Sequence, residues 1–90
     1  MRKITEAIKN AFEQGETLTV GNTKTDGRTI WLHGNAIAEK RDGDLYITLA
    51  GWNTNTTRER LDGLNGVQVN TKQGQAYLNG EKWDGGWIKI

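Results

Sequence analysis

The N-terminal segment repeats apolar positions with the period of an α-helix. Ile4, Ile8 and Phe12 recur every four residues, and most positions between them are polar or small. Gly15 follows, and glycine is a common residue just beyond a helix C-terminus. The pattern predicts a helix over residues 3–14. Because so short a helix is marginal alone, its apolar stripe is expected to pack on another element.

Beyond this helix, apolar and polar positions alternate, which is the period of a β-strand. Asp42-Gly43 and Asn79-Gly80 fall between alternating runs, where such dipeptides favour two-residue hairpin turns. Because nearly all connections are short, the strands are expected to pair antiparallel. The predicted strands are residues 17–20, 29–33, 36–41 and 44–49 and, after an interruption, 67–70, 76–78 and 81–83, and residues 87–90 end the chain.

The interruption contains a second helix. Thr56 and Glu59 have the spacing of a capping box, in which the threonine hydroxyl accepts the amide of Glu59 and the glutamate reaches back. This spacing predicts a short helix over residues 57–64. Its two leucines, Leu61 and Leu64, are expected to face inward.

These elements predict an α+β fold in a single domain, residues 1–90. An antiparallel sheet of about six to seven strands carries the N-terminal helix on one face, and the second helix precedes a C-terminal β-meander. The apolar positions of both helices and the strands supply the core. The predicted core residues are Ile4, Ile8, Phe12, Leu18, Val20, Ile30, Leu32, Leu45, Ile47, Leu49, Leu61, Leu64, Val67, Val69 and Leu78.

The composition excludes several kinds of chemistry. The 90 residues carry 12 Lys and Arg against 11 Asp and Glu, a net charge of +1, so no strong field attracts a polyanion. Without cysteine there are no disulfides or thiolate metal sites, and the single histidine, His33, cannot form a multi-histidine cluster. Serine is absent as well. We therefore expect no catalytic residues, metal, cofactor or enzymatic activity.

Charged residues recur through the N-terminal segment, which therefore lacks the apolar stretch of a signal peptide. No run approaches the roughly 20 apolar residues of a membrane-spanning helix. We expect a soluble, cytoplasmic protein that does not contact a membrane.

The polar side of the second and fourth predicted strands carries a first candidate surface. If these strands lie close together, Trp31, His33 and Tyr46 share one face of the sheet. Either the C-terminal segment with Trp83 and Trp87 covers this face as a second small core, or the face is an exposed aromatic binding platform. The outward positions of the two strands are Thr29, Trp31, His33, Tyr46 and Thr48.

The segment from Trp52 to Arg60 is a second candidate surface. It brings hydroxyl, amide and guanidinium groups to the start of the second helix, where free backbone N–H groups attract anions. Arg58 and Arg60 oppose the helix dipole there, so they would meet a partner carboxylate, a phosphate, or only acidic neighbours and water. The candidate contact residues of this segment are Trp52, Asn53, Thr54, Thr56, Thr57, Arg58 and Arg60.

Two stretches carry a resemblance to a known group of proteins. They are Trp-Leu-His-Gly-Asn at 31–35, followed by Ile37 and Ala38, and the run Gly-Trp-Asn-Thr-x-Thr-Thr-Arg-x-Arg-Leu at 51–61. In these stretches the chain resembles small bacteriophage-encoded proteins of uncharacterised function. The resemblance implies a viral protein made inside a bacterium, and it implies no catalytic residue. Proteins of that kind are often binders that block or redirect a host enzyme, including defence systems.

The residues and the resemblance together favour a small non-enzymatic phage accessory protein that binds and modulates a host protein, in the first place by inhibition, such as a defence or nucleic-acid-processing enzyme. One alternative is a nucleic-acid-binding module that uses Arg58, Arg60 and exposed tryptophans. Another is a binder of a small anionic ligand or nucleotide at the start of the second helix. Exposed sheet edges leave both a monomer and a homodimer open.

Overall fold

The computed structural model describes residues 3–64 and 66–90. Among them, neither helix has the length and apolar character needed to cross a membrane. The elements in chain order are α1 (Lys3–Gln14), β1 (Leu18–Val20), β2 (Thr23–Thr25), β3 (Thr29–Leu32), β4 (Asn35–Arg41), β5 (Asp44–Ile47), α2 (Asn55–Asp62), β6 (Val69–Lys72), β7 (Gln75–Leu78), β8 (Glu81–Lys82) and β9 (Ile88–Lys89).

The strands form two antiparallel sheets. One has six strands in the order β1-β2-β3-β4-β5-β9, and the other has three in the order β6-β7-β8. The last strand leaves the C-terminal meander and pairs with β5, so that Ile88 lies opposite Ile47. The α+β fold predicted from the sequence is confirmed, with α1 packed on the larger sheet and α2 between the two sheets in the chain.

Two-residue turns set the hairpins, as the Asp42-Gly43 signal predicts. Asp42 and Gly43 both have positive φ, +49° and +84°, which matches the twist of the strands on either side. His33 and Gly34 repeat this arrangement, with φ of +51° and +82°. His33 therefore lies in the turn between β3 and β4 and not in a strand, which corrects its expected place on the sheet face.

The strand β2 has no counterpart in the sequence prediction. It lies between a turn at Gly21 and Asn22 and a turn that begins at Asp26. The Asp26 carboxylate accepts the amides of Thr29, at 2.8 Å, and Arg28, at 2.9 Å. These two backbone hydrogen bonds, the one from Thr29 first, lower the pKa of Asp26 because they stabilise its charged form. The polar composition of β2, Thr-Lys-Thr, conceals the strand from a search for apolar alternation.

One apolar core joins α1, the larger sheet, α2 and the smaller sheet. Four of the predicted core residues, Ile4, Leu18, Val20 and Leu45, are only partly buried, and the others are buried. Trp83 is 5% exposed and belongs to this core, so it does not cover the outer face of the sheet. Ile37 is also buried, at a position where the pairing of β3 with β4 shifts by one residue. Such a bulge breaks the alternation from which strand faces are read.

Candidate protein-binding surface

The helix α2 begins two residues before the predicted start. Its N-cap is Thr54, whose side chain accepts the amide of Thr57 at 3.2 Å and whose carbonyl accepts the amide of Arg58 at 3.0 Å. The capping box predicted at Thr56 is wrong. Thr54 and Thr56 both have side chains that can cap a helix. Because the helix begins directly after Thr54, the side chain of Thr57 faces the interior, where it is 1% exposed.

Trp52 lies at the most exposed point of the segment that leads into α2. Its side chain is 59% exposed, more than that of any other large apolar residue described. Ala50 and Gly51 before it both have positive φ, and the amide of Trp52 donates to the carbonyl of Leu49 at 2.8 Å. A tight turn therefore carries the indole outward from the end of the sheet.

The base of this turn is fixed to the chain around Gly85. The carbonyl of Gly85 accepts the amide of Leu49 and the hydroxyl of Thr48, each at 2.8 Å. A side chain on Gly85 would come within 3.1 Å of Leu49, and its φ is +85°, so glycine is required at this approach. Thr48 is 5% exposed, so it does not face outward as the alternation predicts, because the Gly85 segment covers it.

Arg58 fixes the other side of the turn. Its guanidinium donates to the carbonyl of Asn53 at 3.1 Å, and to the side-chain oxygens of Asn53 and Asn55. Arg58 is half-buried, while Asn53 and Asn55 are exposed. We name residues 48–55 the Trp52 loop; Arg58 bonds the side of this loop that follows Trp52.

Arg60 lies in the interior, where it is 4% exposed. Its Nε donates to the hydroxyl of Thr23 in β2 at 3.1 Å, and its Nη1 donates to the hydroxyl of Thr5 in α1 at 2.8 Å. The Thr5 hydroxyl in turn lies 3.5 Å from a carboxylate oxygen of Glu59. We name Thr5, Thr23 and Arg60 the buried junction, since they join α1, β2 and α2.

The burial of Arg60 and Thr57 corrects two of the candidate contact residues. Neither side chain reaches the surface, so neither fits the direct contact with a partner that the sequence suggested. Successive residues of an α-helix are turned by about 100°, so Arg58 and Arg60 point in nearly opposite directions. The sequence shows two similar arginines, and only the docking of α2 on α1 and β2 distinguishes them.

The outer face of the larger sheet carries Trp31 and Tyr46, both half-buried. The Lys24 ammonium lies 5.6 Å from the centre of the Trp31 ring. The Arg41 guanidinium lies 4.9 Å from the centre of the Tyr46 ring and 4.7 Å from that of Trp87. Trp87 and Tyr46 therefore contact the same arginine, and Trp87 covers part of this face. The outcome lies between the covered face and the fully exposed platform that the sequence left open.

His33 does not share this arrangement. It is exposed in the β3–β4 turn, and its Nε2 lies 3.3 Å from the side-chain nitrogen of Asn22. Asn22 in turn accepts the hydroxyl of Thr23, which belongs to the buried junction. Thr29, also predicted to face outward, is 8% exposed. Trp31 and Tyr46 thus lie on the same face of the sheet, in β3 and β5 with β4 between them, but not all five predicted residues are exposed on that face.

A polar groove of about 290 Å³ lies beside the Trp52 loop. Gly51 and Asn53 form one side, and the turn at Gly74 together with Asp84 and Gly85 forms the other. No group of three or more His, Cys, Asp or Glu side chains that could hold a metal ion occurs in residues 3–64 and 66–90. The groove offers hydrogen-bonding groups beside an exposed indole, which is a combination suited to contact with another protein.

Sequence reasoning did not identify the residues that fix the Trp52 loop. Ala50 and Gly51 both have positive φ, but in the sequence only the glycine indicates such a turn. The Gly85 residue that anchors the loop lies 34 residues beyond Gly51 in the chain. A family model described as Kyanoviridae Gp96 protein matches residues 1–89. No curated protein and no solved structure matches the chain.

Proposed function

Because the chain belongs to the Kyanoviridae Gp96 family of phage proteins, we propose that it is an accessory protein that binds and inhibits a host protein. The Trp52 loop is the contact surface, and Trp52 is its central residue. The observation that carries this proposal is a large aromatic side chain, 59% exposed, on a loop that is held at both ends. No catalytic step is part of the proposal.

Burial of Trp52 against a partner would supply a large share of the binding free energy. Removing the exposed part of an indole from water contributes about 3 kcal/mol. Because Gly85 and Arg58 already hold the loop, little conformational entropy is lost when it binds. Tryptophan is also among the residues most often found at the energetic centre of interfaces.

Polar groups surround this central residue. Asn53 and Thr54 are exposed and Thr56 is half-buried, so they can form hydrogen bonds at the rim of the contact. Arg58 supports the loop from behind. Trp31 and Tyr46 extend the proposed surface on the outer face of the sheet, and His33 does so at the β3–β4 turn.

The alternatives that rely on anions lose one of their two arginines. Arg60 is buried, so binding of a nucleic acid or a nucleotide at the start of α2 would depend on Arg58, whose guanidinium already meets three oxygen atoms. The net charge of +1 gives little general attraction to phosphate. We therefore keep these two alternatives as outcomes of the experiment below.

The test is capture of host proteins by the wild-type chain, by Trp52→Ala and by the matched control Trp87→Ala, followed by mass spectrometry. We expect one host protein to be retained by the wild-type chain and by Trp87→Ala and lost by Trp52→Ala, with unchanged thermal unfolding of the Trp52 variant. The purified host protein should then lose activity when the wild-type chain is added.

Two results would contradict the proposal. One is a captured protein whose binding does not depend on Trp52, which would move the contact surface elsewhere. The other is binding to oligonucleotides that weakens steeply with salt and is lost in Arg58→Ala, which would favour the nucleic-acid alternative. A melting temperature that rises with nucleotide would favour the small-ligand alternative.

A further inference from the structure

The edge strand β9 exposes apolar side chains. Trp87 is 43% exposed and Ile88 is 38% exposed, and with Trp52 they are the exposed large apolar residues of the part of the chain that the structure describes. Edge strands of soluble proteins are usually protected by charges, prolines or bulges against pairing with another strand. The strand β9 is two residues long and carries Lys89, but it leaves Ile88 and the adjacent Trp87 exposed.

The backbone of β9 also has unpaired groups at this edge. The amide of Ile90 donates to the carbonyl of Leu45 at 2.8 Å, and Ile88 lies opposite Ile47. Because hydrogen-bonding direction alternates along an antiparallel strand, the groups of Ile88 and Ile90 point toward β5. The N–H and C=O groups of Trp87 and Lys89 therefore point away from the sheet.

We propose that β9 pairs antiparallel with β9 of a second copy of this chain, around a twofold axis at Ile88. In this register Trp87 lies opposite Lys89 of the second copy, and Lys89 lies opposite its Trp87. Both residues present outward N–H and C=O groups, so the pairing forms four backbone hydrogen bonds. Ile88 then meets its own equivalent in a non-hydrogen-bonded pair, where side chains come closest.

Charge distinguishes this register from its neighbours. A pairing centred on Lys89 would set two ammonium groups opposite each other, and one centred on Trp87 would leave the amides of Lys89 without that partner. The register centred on Ile88 sets each ammonium beside an indole instead, an arrangement that is attractive. The edge is thus complementary to itself, which argues for a second copy over an unrelated strand.

A groove lined by both polar and apolar side chains lies beside this edge and is open to the second copy. It has a volume of about 310 Å³ and lies between β9 and β8, with Leu78, Trp83 and Ile90 among its lining residues. Ile88 lines the same groove. The Ile88 side chain of the second copy enters it from the axis, so the pairing buries apolar surface as well as forming backbone hydrogen bonds.

The first test measures mass and amide exchange on the unmodified chain. Light scattering after gel filtration should give twice the monomer mass of 10.1 kDa at high protein concentration. The amides of Trp87 and Lys89 should exchange more slowly as concentration rises, because only the second copy protects them. A mass of 10.1 kDa at millimolar concentration, or fast exchange of both amides in the dimer, would overturn the proposal.

The second test uses opposite charges at the axis. Ile88→Lys and Ile88→Asp should each be monomeric, since each brings like charges together, and an equimolar mixture should regain the dimer. The matched control is Thr19→Lys on β1, the opposite edge of the same sheet, which should remain dimeric. Dimers in either single Ile88 variant, or no dimer in a mixture of folded variants, would refute the register.

The outcome does not depend on the proposed host-binding surface. Trp52→Ala should retain the full dimer mass, because Trp52 is not part of β9. Should either Ile88 variant fail to fold by circular dichroism, the exchange of the two amides in the unmodified chain decides the question.

Discussion

Arg58 and Arg60 lie two residues apart on α2, yet they belong to different regions of the molecule. Arg58 holds the Trp52 loop at the surface through the oxygens of two asparagines. Arg60 is enclosed in the buried junction, where two threonine hydroxyls accept its hydrogen bonds. One arginine shapes a surface, and the other holds three elements of the fold together.

The difference shows that a guanidinium group on a short helix has no fixed role. A buried arginine is expensive to desolvate, and the desolvation is offset only when its donors find acceptors. Thr5 and Thr23 provide these acceptors from two other elements, and no buried side-chain nitrogen or oxygen in the described part of the chain lacks a partner. At the surface, by contrast, water can replace any contact that Arg58 makes.

The largest expected effect is that of Arg60→Ala. Its removal leaves two buried hydroxyls without their donor and creates a cavity, so we expect the free energy of unfolding to fall by about 3 kcal/mol. Urea denaturation followed by circular dichroism measures this change. The combination Arg60→Met, Thr5→Val and Thr23→Val should recover part of the loss, because the two buried hydroxyls that would lose their donor are then removed as well. Equal stability of Arg60→Ala and Arg58→Ala would abolish the contrast between the two regions.

A smaller effect tests where α2 begins. Thr54→Ala removes the hydroxyl that accepts the amide of Thr57, so it should lower the free energy of unfolding by about 1 kcal/mol. Thr56→Ala is the control, and it should change stability by less than about 0.5 kcal/mol because Thr56 is not the N-cap. The reverse order in urea denaturation would place the cap at Thr56.

The smallest effect on stability is expected for Arg58→Ala. Because the hydrogen bonds of Arg58 are at the surface, their loss should change the free energy of unfolding by less than about 1 kcal/mol. The Trp52 loop should nevertheless become more mobile, which relaxation of the Trp52 indole nitrogen in NMR measures. Should the indole remain as ordered as in the wild-type chain, Gly85 alone would suffice to hold the loop.

The sequence predicted the elements that repeat a simple local pattern. The helix α1 is observed over Lys3–Gln14, because its apolar stripe has one period from end to end. The Asp42-Gly43 and Asn79-Gly80 turns occur as expected. Both central residues of such a turn have positive φ, which aspartate, asparagine and glycine adopt more readily than other residues. The strand β2 was missed because its residues are polar, although Thr23 and Thr25 are completely buried.

The candidate site was predicted less completely. Trp52 is exposed as a contact residue requires, but nothing local to it reveals the support from Gly85. The start of α2 was misplaced because Thr54 and Thr56 both have cap chemistry, and the burial of Thr57 selects between them. Such selection depends on residues far away in the chain.

The sequence by itself determined the helix stripe, the alternating strands, the turn positions and the absence of cysteine and serine chemistry. These depend on the period and identity of neighbouring residues. Only the tertiary structure decided that β9 leaves the meander to pair with β5, that Trp83 belongs to the core, and that Arg60 is enclosed. Each of these follows from which surfaces meet once the helices and sheets pack, because burial is a property of the assembled elements and not of any one of them.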